Sequence, residues 1–222
     1  AAAQNDYGVF GANPKANIMP VKISNNGSAS DFDIALGIYL AMDSGAKVIN
    51  LSFGGWGYGN QTEYDYYKEI YDTFPDSLII AAAGNDGSFD NSAPGYRGNY
   101  PSGYALYGIE NIISVGNSDN SDLRAGSSNY GPAVHLFAPG EGVLSTYNDS
   151  DNSYALASGT SMAAPLVAGA VSAYWARLPH LSAQQVKQRL LDTVDYNSSL
   201  YSQTYGRMNM ARFFYGDSSQ NL

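Results

Sequence analysis

The run Leu78-Ile79-Ile80-Ala81-Ala82-Ala83-Gly84 constrains the fold more than any other part of the chain. Six apolar residues in succession leave no polar face, the mark of a strand covered on both sides. A parallel sheet sandwiched between helices provides that cover. Gly84 then turns the chain at the strand's carboxyl end, with backbone angles open to glycine.

The flanking segments agree with a layered α/β fold. Residues 17–23 and 47–51 read as strands. Ile34, Ala35, Ile38, Ala41 and Met42 recur at helical spacing, which predicts a helix over 31–44 stopped by Gly45. A second helix is predicted over 62–74, ended by Pro75, and short strands over 111–115 and 134–137. Ser182 with Gln185 three residues on predicts a capping box opening a helix that runs to Asp192. Residues 54–59 read as a glycine-rich loop and 84–103 as a long loop, a length that is usually functional. Strand and helix alternate, which implies right-handed βαβ units and a mostly parallel sheet flanked by helices. Ligands of such sheets bind beyond the carboxyl ends of the strands. The expected organisation is one domain over 1–215 and a polar tail over 216–222.

Composition narrows the function. The chain has 222 residues, 44% of them hydrophobic, enough for a sizeable core. A net charge of -9 and the lack of a basic patch argue against nucleic acid or an anionic membrane as partner. There is no cysteine, which excludes disulfides and thiolate metal sites, and no apolar run reaches membrane-spanning length.

Ser158-Gly159-Thr160-Ser161-Met162-Ala163-Ala164-Pro165 opens a third helix, rich in small residues. Ser161 falls at its start, beside free N–H groups and the positive end of the helix dipole. Pro165 cannot donate to the carbonyl of Ser161, so the first turn is expected to be distorted there. Ser161 reads either as an N-cap or as a nucleophile. In Ala83-Gly84-Asn85-Asp86-Gly87 an amide stands just past a strand end, placed either to donate to an oxyanion or merely to shape a turn.

The two strings together resemble motifs of the subtilisin-like serine proteases, G-T-S-M-A-x-P and A-A-A-G-N-x-G, in the family's order. The resemblance covers almost the whole chain. It extends to Asn5 through Pro14, Val48 to Gly55, Tyr100-Pro101-Ser102, Ala138-Pro139-Gly140 and Tyr205-Gly206. It implies a subtilisin-like three-layer sandwich and a secreted, monomeric endopeptidase acting on peptides or proteins, with a pro-segment upstream. Ser161 would be the nucleophile and Asn85 the oxyanion donor. Ser52, Phe53 and Gly54 would pair with an extended substrate, although Phe53 could equally be core. Ala82, Ala83 and Gly84 would wall the pocket for the residue before the cut, with Gly95 at its base and Asp86 at its rim. Those small walls leave room for a large apolar side chain or lysine. Ala3, Asn5, Tyr7 and Val9 correspond to the family's calcium loop, so a structural Ca2+ is expected; a solvated loop is the alternative.

Two features depart from the family pattern. Its triad runs Asp, His, Ser; the resemblance places the family's D-S/T-G and H-G-T-H segments upstream of Ala1, and the chain holds no H-G-T-H string. The two histidines, His135 and His180, read as surface or capping residues rather than as a base. Ala1-Ala2-Ala3 resembles the remainder of the family's histidine helix, so the amino-terminal part of the domain is expected to lie upstream. The family's weak cation site uses acids after a Gly-Pro; here Gly131-Pro132 is followed by Ala133-Val134-His135, and that site is not expected. A peptide-binding relative without catalysis and an unrelated serine esterase are the rival readings. The esterase would need its histidine after the nucleophile, where only His180 stands.

Overall fold

The computed structural model describes residues 8–25, 27–59, 61–90 and 97–216. Its centre is a sheet of order β1-β3-β5-β6-β10-β9. These strands are β1 (Val48–Leu51), β3 (Leu78–Ala82), β5 (Ile112–Ser118), β6 (Leu136–Pro139), β9 (Asp195–Tyr196) and β10 (Gly206–Arg207). All neighbours run parallel except β10 with β9.

The apolar run that opened the analysis becomes β3, and its alternation explains the layers. Leu78, Ile80 and Ala82 face α3 (Thr160–Arg177), α4 (Ala183–Asp192) and α5 (Met210–Tyr215). Ile79 and Ala81 face α1 (Asp31–Asp43) and α2 (Gln61–Thr73). Successive side chains of a strand point to opposite faces, so a strand with helices on both sides must be apolar throughout. Truncating the fully buried Ile80 to alanine would cost about 2–5 kcal/mol.

Local signals set the helix ends. Ser30 Oγ accepts from Asp33 N and caps α1, and Gly45 follows at φ 87°. The capping box of Ser182 and Gln185 is present at α4. Small residues along α3 let it approach closely: a Cβ on Gly169 would stand 2.7 Å from Ala12 Cβ.

Several expectations are corrected. Residues 17–23 form no strand and join no sheet. Between them and the outer edge of β1 lies a cleft of about 730 Å³ lined by Ile18, Met19, Val21, Ile23 and the residues of β1. Set apart from the β1 edge by that cleft, the apolar strand pattern forms no ladder with it. The predicted loop 54–59 contains β2 (Gly55–Tyr58), paired antiparallel with β4 (Arg97–Tyr100), which lies within the predicted long loop. A 3-10 helix over Ser102–Tyr107 follows β4. A hairpin, β7 (Val143–Thr146) with β8 (Tyr154–Ala157), leads into α3. Finally, α5 ends where the tail was expected to begin. Most of that tail, 217–222, lies outside the described residues.

Candidate active site

Ser52, Asn85 and Ser161 all come from segments that leave or face the carboxyl ends of β1 and β3. Chain direction and sheet order therefore bring together residues that are 33 and 76 positions apart in sequence (85 − 52 and 161 − 85).

Ser161 sits in the first turn of α3. Gly159, at φ 143°, makes the entry that a side chain would strain. The backbone carbonyl of Ser161 has no helical donor, because Pro165 lacks the N–H four residues on. Ser52 Oγ donates to that carbonyl instead, at 2.8 Å. In return, Ser161 Oγ donates to the carbonyl of Ser52 at 2.9 Å. The distorted turn expected from the sequence is thus repaired by a reciprocal serine pair, which ties the helix start to the end of β1.

Asn85 is held by one end of its amide. Its Oδ1 accepts from Thr160 N at 2.9 Å and from Thr160 Oγ1 at 3.1 Å. Thr160 Oγ1 also accepts from Gly84 N at 3.2 Å. With Oδ1 fixed in this way, Nδ2 is the half of the amide left to donate, and it reaches no acceptor among the described residues. Thr160 was not singled out from the sequence. Its sequence signal was its place beside the serine within the motif; the structure adds that it is fully buried.

Asn129, also missed, braces the same loop. Its Nδ2 donates to Ala83 O at 2.8 Å, and its Oδ1 accepts from the N–H groups of Asp86 and Ser88 at 3.1 and 3.0 Å. It lies 43 residues from Asp86 in sequence, too far for local pattern to reveal. Ala82 and Ala83 are buried, Gly84 and Phe53 are half-buried, and Asp86 is exposed. Phe53 packs at the margin of the core on the α1 side. Gly95 lies outside the described residues, as do Ala3, Asn5 and Tyr7. Val9 is described and half-buried. Among the described residues no group of three or more His, Asp or Glu is placed to hold a metal.

No imidazole approaches Ser161. His135 was expected at the surface, but it is buried, and its Nδ1 accepts from Ser114 N at 3.0 Å. Burial pushes its pKa well below the usual histidine value, and Lys187 adds to the effect. It lies at the entry of β6, the end of the sheet opposite Ser161. His180 is exposed beyond the carboxyl end of α3. Ser161 is the second residue of that helix, which ends at Arg177, about 24 Å away at 1.5 Å per residue. The esterase reading has no base.

Among the described residues no helix is long and apolar enough to cross a membrane. Comparison with known proteins agrees with the geometry. The chain is 41% identical over 174 residues to thermitase of Thermoactinomyces vulgaris, covering 76% of this chain and 55% of that protein. It is 37% identical over 195 residues to subtilisin DY of Bacillus licheniformis, covering 87% and 66%. With the cell wall-associated protease of Bacillus subtilis the figures are 38% over 196 residues, covering 88% and 20%. The chain therefore spans between a fifth and two thirds of the length of these relatives. The solved structure of a protease from Pseudoalteromonas arctica superposes with a TM-score of 0.81 at 29% identity, covering 96% of this chain and 67% of that one. The model of the subtilase family matches residues 1–216, and the chain belongs to that family of serine proteases.

Proposed function

We propose that this chain carries the nucleophile, the oxyanion donor and the substrate-pairing edge of a secreted serine endopeptidase. The observation that carries the reading is the fixing of Asn85 Oδ1 by Thr160, which leaves Nδ2 to donate beside the start of the Ser161 helix.

In this reading Ser161 Oγ attacks the carbonyl carbon of a peptide bond. The developing oxyanion is met by Asn85 Nδ2 and by the Ser161 N–H, which is unpaired in the first turn of the helix and lies at its positive end. The hydroxyl proton, now given to Ser52 O, must pass to a base for the attack to proceed. The substrate runs extended along Ser52, Phe53 and Gly54, and its side chain before the cut enters between that edge and Ala82 to Gly84. Asp86 stands at the rim. A pro-segment, monomeric state and structural Ca2+ in the loop of Ala3, Asn5, Tyr7 and Val9 belong to the same reading, and no chemical step runs through calcium.

The base and its carboxylate partner come from outside residues 1–222. What supports this is the distance of both histidines from Ser161, together with the unpaired β1 edge beside an apolar cleft. Residues 1–222 alone should therefore leave casein uncut, whereas the same chain with its upstream segments should cut it. Cleavage by 1–222 alone, lost on His135→Ala or His180→Ala, would overturn the account of the base. A folded longer protein that binds peptides without cutting them would instead establish the non-catalytic relative.

A further inference from the structure

A cavity of about 490 Å³ opens beside the edge along which the substrate is proposed to run. Phe53 and Gly54, one and two residues past Ser52, form part of its lining. Trp56 and Tyr58 of β2, Tyr67 of α2, Tyr100 of β4 and Asp31 at the start of α1 form much of the rest. The volume is that of a small-ligand pocket and holds one long side chain.

Two features of the lining set its chemistry. Phe53, Trp56, Tyr58, Tyr67 and Tyr100 are aromatic, and the faces of such rings attract cations. The Tyr58 ring already takes one, since the Arg97 guanidinium lies 5.7 Å from its centroid. The rings alone therefore do not decide what enters. The second feature is Asp31, the one charged residue among those described in the lining, and it is exposed. All 11 lysines and arginines of the chain lie within the described residues, and those in ion pairs hold Asp72, Asp122 and Asp195. No lysine or arginine neutralises Asp31. Its neighbour Asp33 is engaged elsewhere: its Oδ2 accepts from Ser30 Oγ at 2.6 Å, and it is not part of the lining.

We infer that Asp31 is a specificity residue, and that this cavity selects a lysine or arginine of the substrate over an apolar side chain of equal length. The side chain belongs to a position earlier in the substrate than the residue before the cut. The inference rests on the protease reading above. Both kinds of side chain lay an apolar stem against the rings. Only the basic one brings a cation to the Asp31 carboxylate and to the ring faces, whereas an apolar end strips water from Asp31 and returns nothing. An exposed ion pair is screened by solvent, so the gain is modest, about fivefold.

The test uses the full-length protein and peptides with one fixed residue before the cut. Each earlier position in turn carries arginine, lysine, norleucine or glutamate. At one of those positions the expected kcat/KM with arginine or lysine exceeds that with norleucine about fivefold, with glutamate lowest, and the gain shrinks as salt is raised. In Asp31→Asn the ratio falls to about one, while the norleucine peptides are cut as by the parent. Asp31 is exposed, so this variant keeps the fold. Norleucine equal to or better than the basic residues at every position overturns the inference, as does a basic preference undiminished in Asp31→Asn. Failure to cut any peptide, with Ser161 unreactive to a fluorophosphonate, overturns the protease reading and this inference with it; cleavage without the basic preference overturns the inference alone.

Discussion

Replacing Thr160 with valine should weaken catalysis and stability together, and the structure sets the size of both effects. Valine keeps the shape of a fully buried side chain and removes only the hydroxyl. Two hydrogen bonds go: the one Oγ1 donates to Asn85 Oδ1 at 3.1 Å and the one it accepts from Gly84 N at 3.2 Å. A net hydrogen bond is worth about 1 kcal/mol, and a buried N–H left without an acceptor costs about 1–3 kcal/mol. A loss of about 2 kcal/mol follows, which for a domain of this size lowers Tm by about 4–8 °C. Asn85 keeps the bond from Thr160 N at 2.9 Å, so its donor is loosened rather than lost. Losing an oxyanion donor outright costs about 10²–10³ in kcat, a figure taken from a subtilisin. A loosened donor should cost less, about tenfold in kcat, with KM within about twofold, because the oxyanion forms only in the transition state. Steady-state kinetics on the full-length protein, with a thermal melt of the same preparation, measure both effects. Thr160→Ser, which keeps the hydroxyl, should restore most of the rate. A valine variant with unchanged kcat would refute the claim that Thr160 aims the Asn85 amide.

Three further outcomes are expected. Asn85→Leu should lower kcat about 10²–10³-fold and leave KM nearly alone, and a variant with unchanged kcat removes Asn85 from the mechanism. Gly84→Ala should destabilise the domain by at least about 1–3 kcal/mol from its φ of 97°, before the clash of its Cβ with Asn129 Nδ2 is counted; an unchanged melting temperature contradicts this. Lys187 donates to Glu110 O and Ile112 O, and burial lowers its pKa to about 8, partly offset by Glu110. Between pH 8 and 10.5 the unfolded chain holds a proton there that the folded chain has released, so stability gains from rising pH. The stability of the parent relative to Lys187→Met should therefore climb across that window by about 3 kcal/mol or less; a flat difference would show that the lysine is not perturbed.

Much of the fold was legible because its signals are local. The apolar run at 78–83, the helical spacing around Ile38 and the cap at Ser182 each depend on a few neighbouring residues. Ser161 and Asn85 were legible as strings, and sheet order brought them together. What stayed hidden depends on distant partners. Residues 17–23 carry a strand pattern but stand across a cleft from the edge of β1. Gly55 to Tyr58 becomes a strand only because Arg97 to Tyr100 lies beside it. His135 reads as a surface residue until Ser114 and Lys187 are packed around it. Asn99 and Asn129 are ordinary polar residues in sequence. Only the fold turns their amides onto the carbonyls of Ala82 and Ala83.

The central claim is that Ser161 is the reacting group, and labelling by a fluorophosphonate tests it most directly. The full-length protein is treated with the reagent, digested, and the adduct mapped by mass spectrometry. The account predicts one adduct, on Ser161 Oγ, absent from Ser161→Ala and formed at a rate that falls with the loss of activity. An active preparation labelled at another serine, or cutting peptides undiminished as Ser161→Ala, would contradict it.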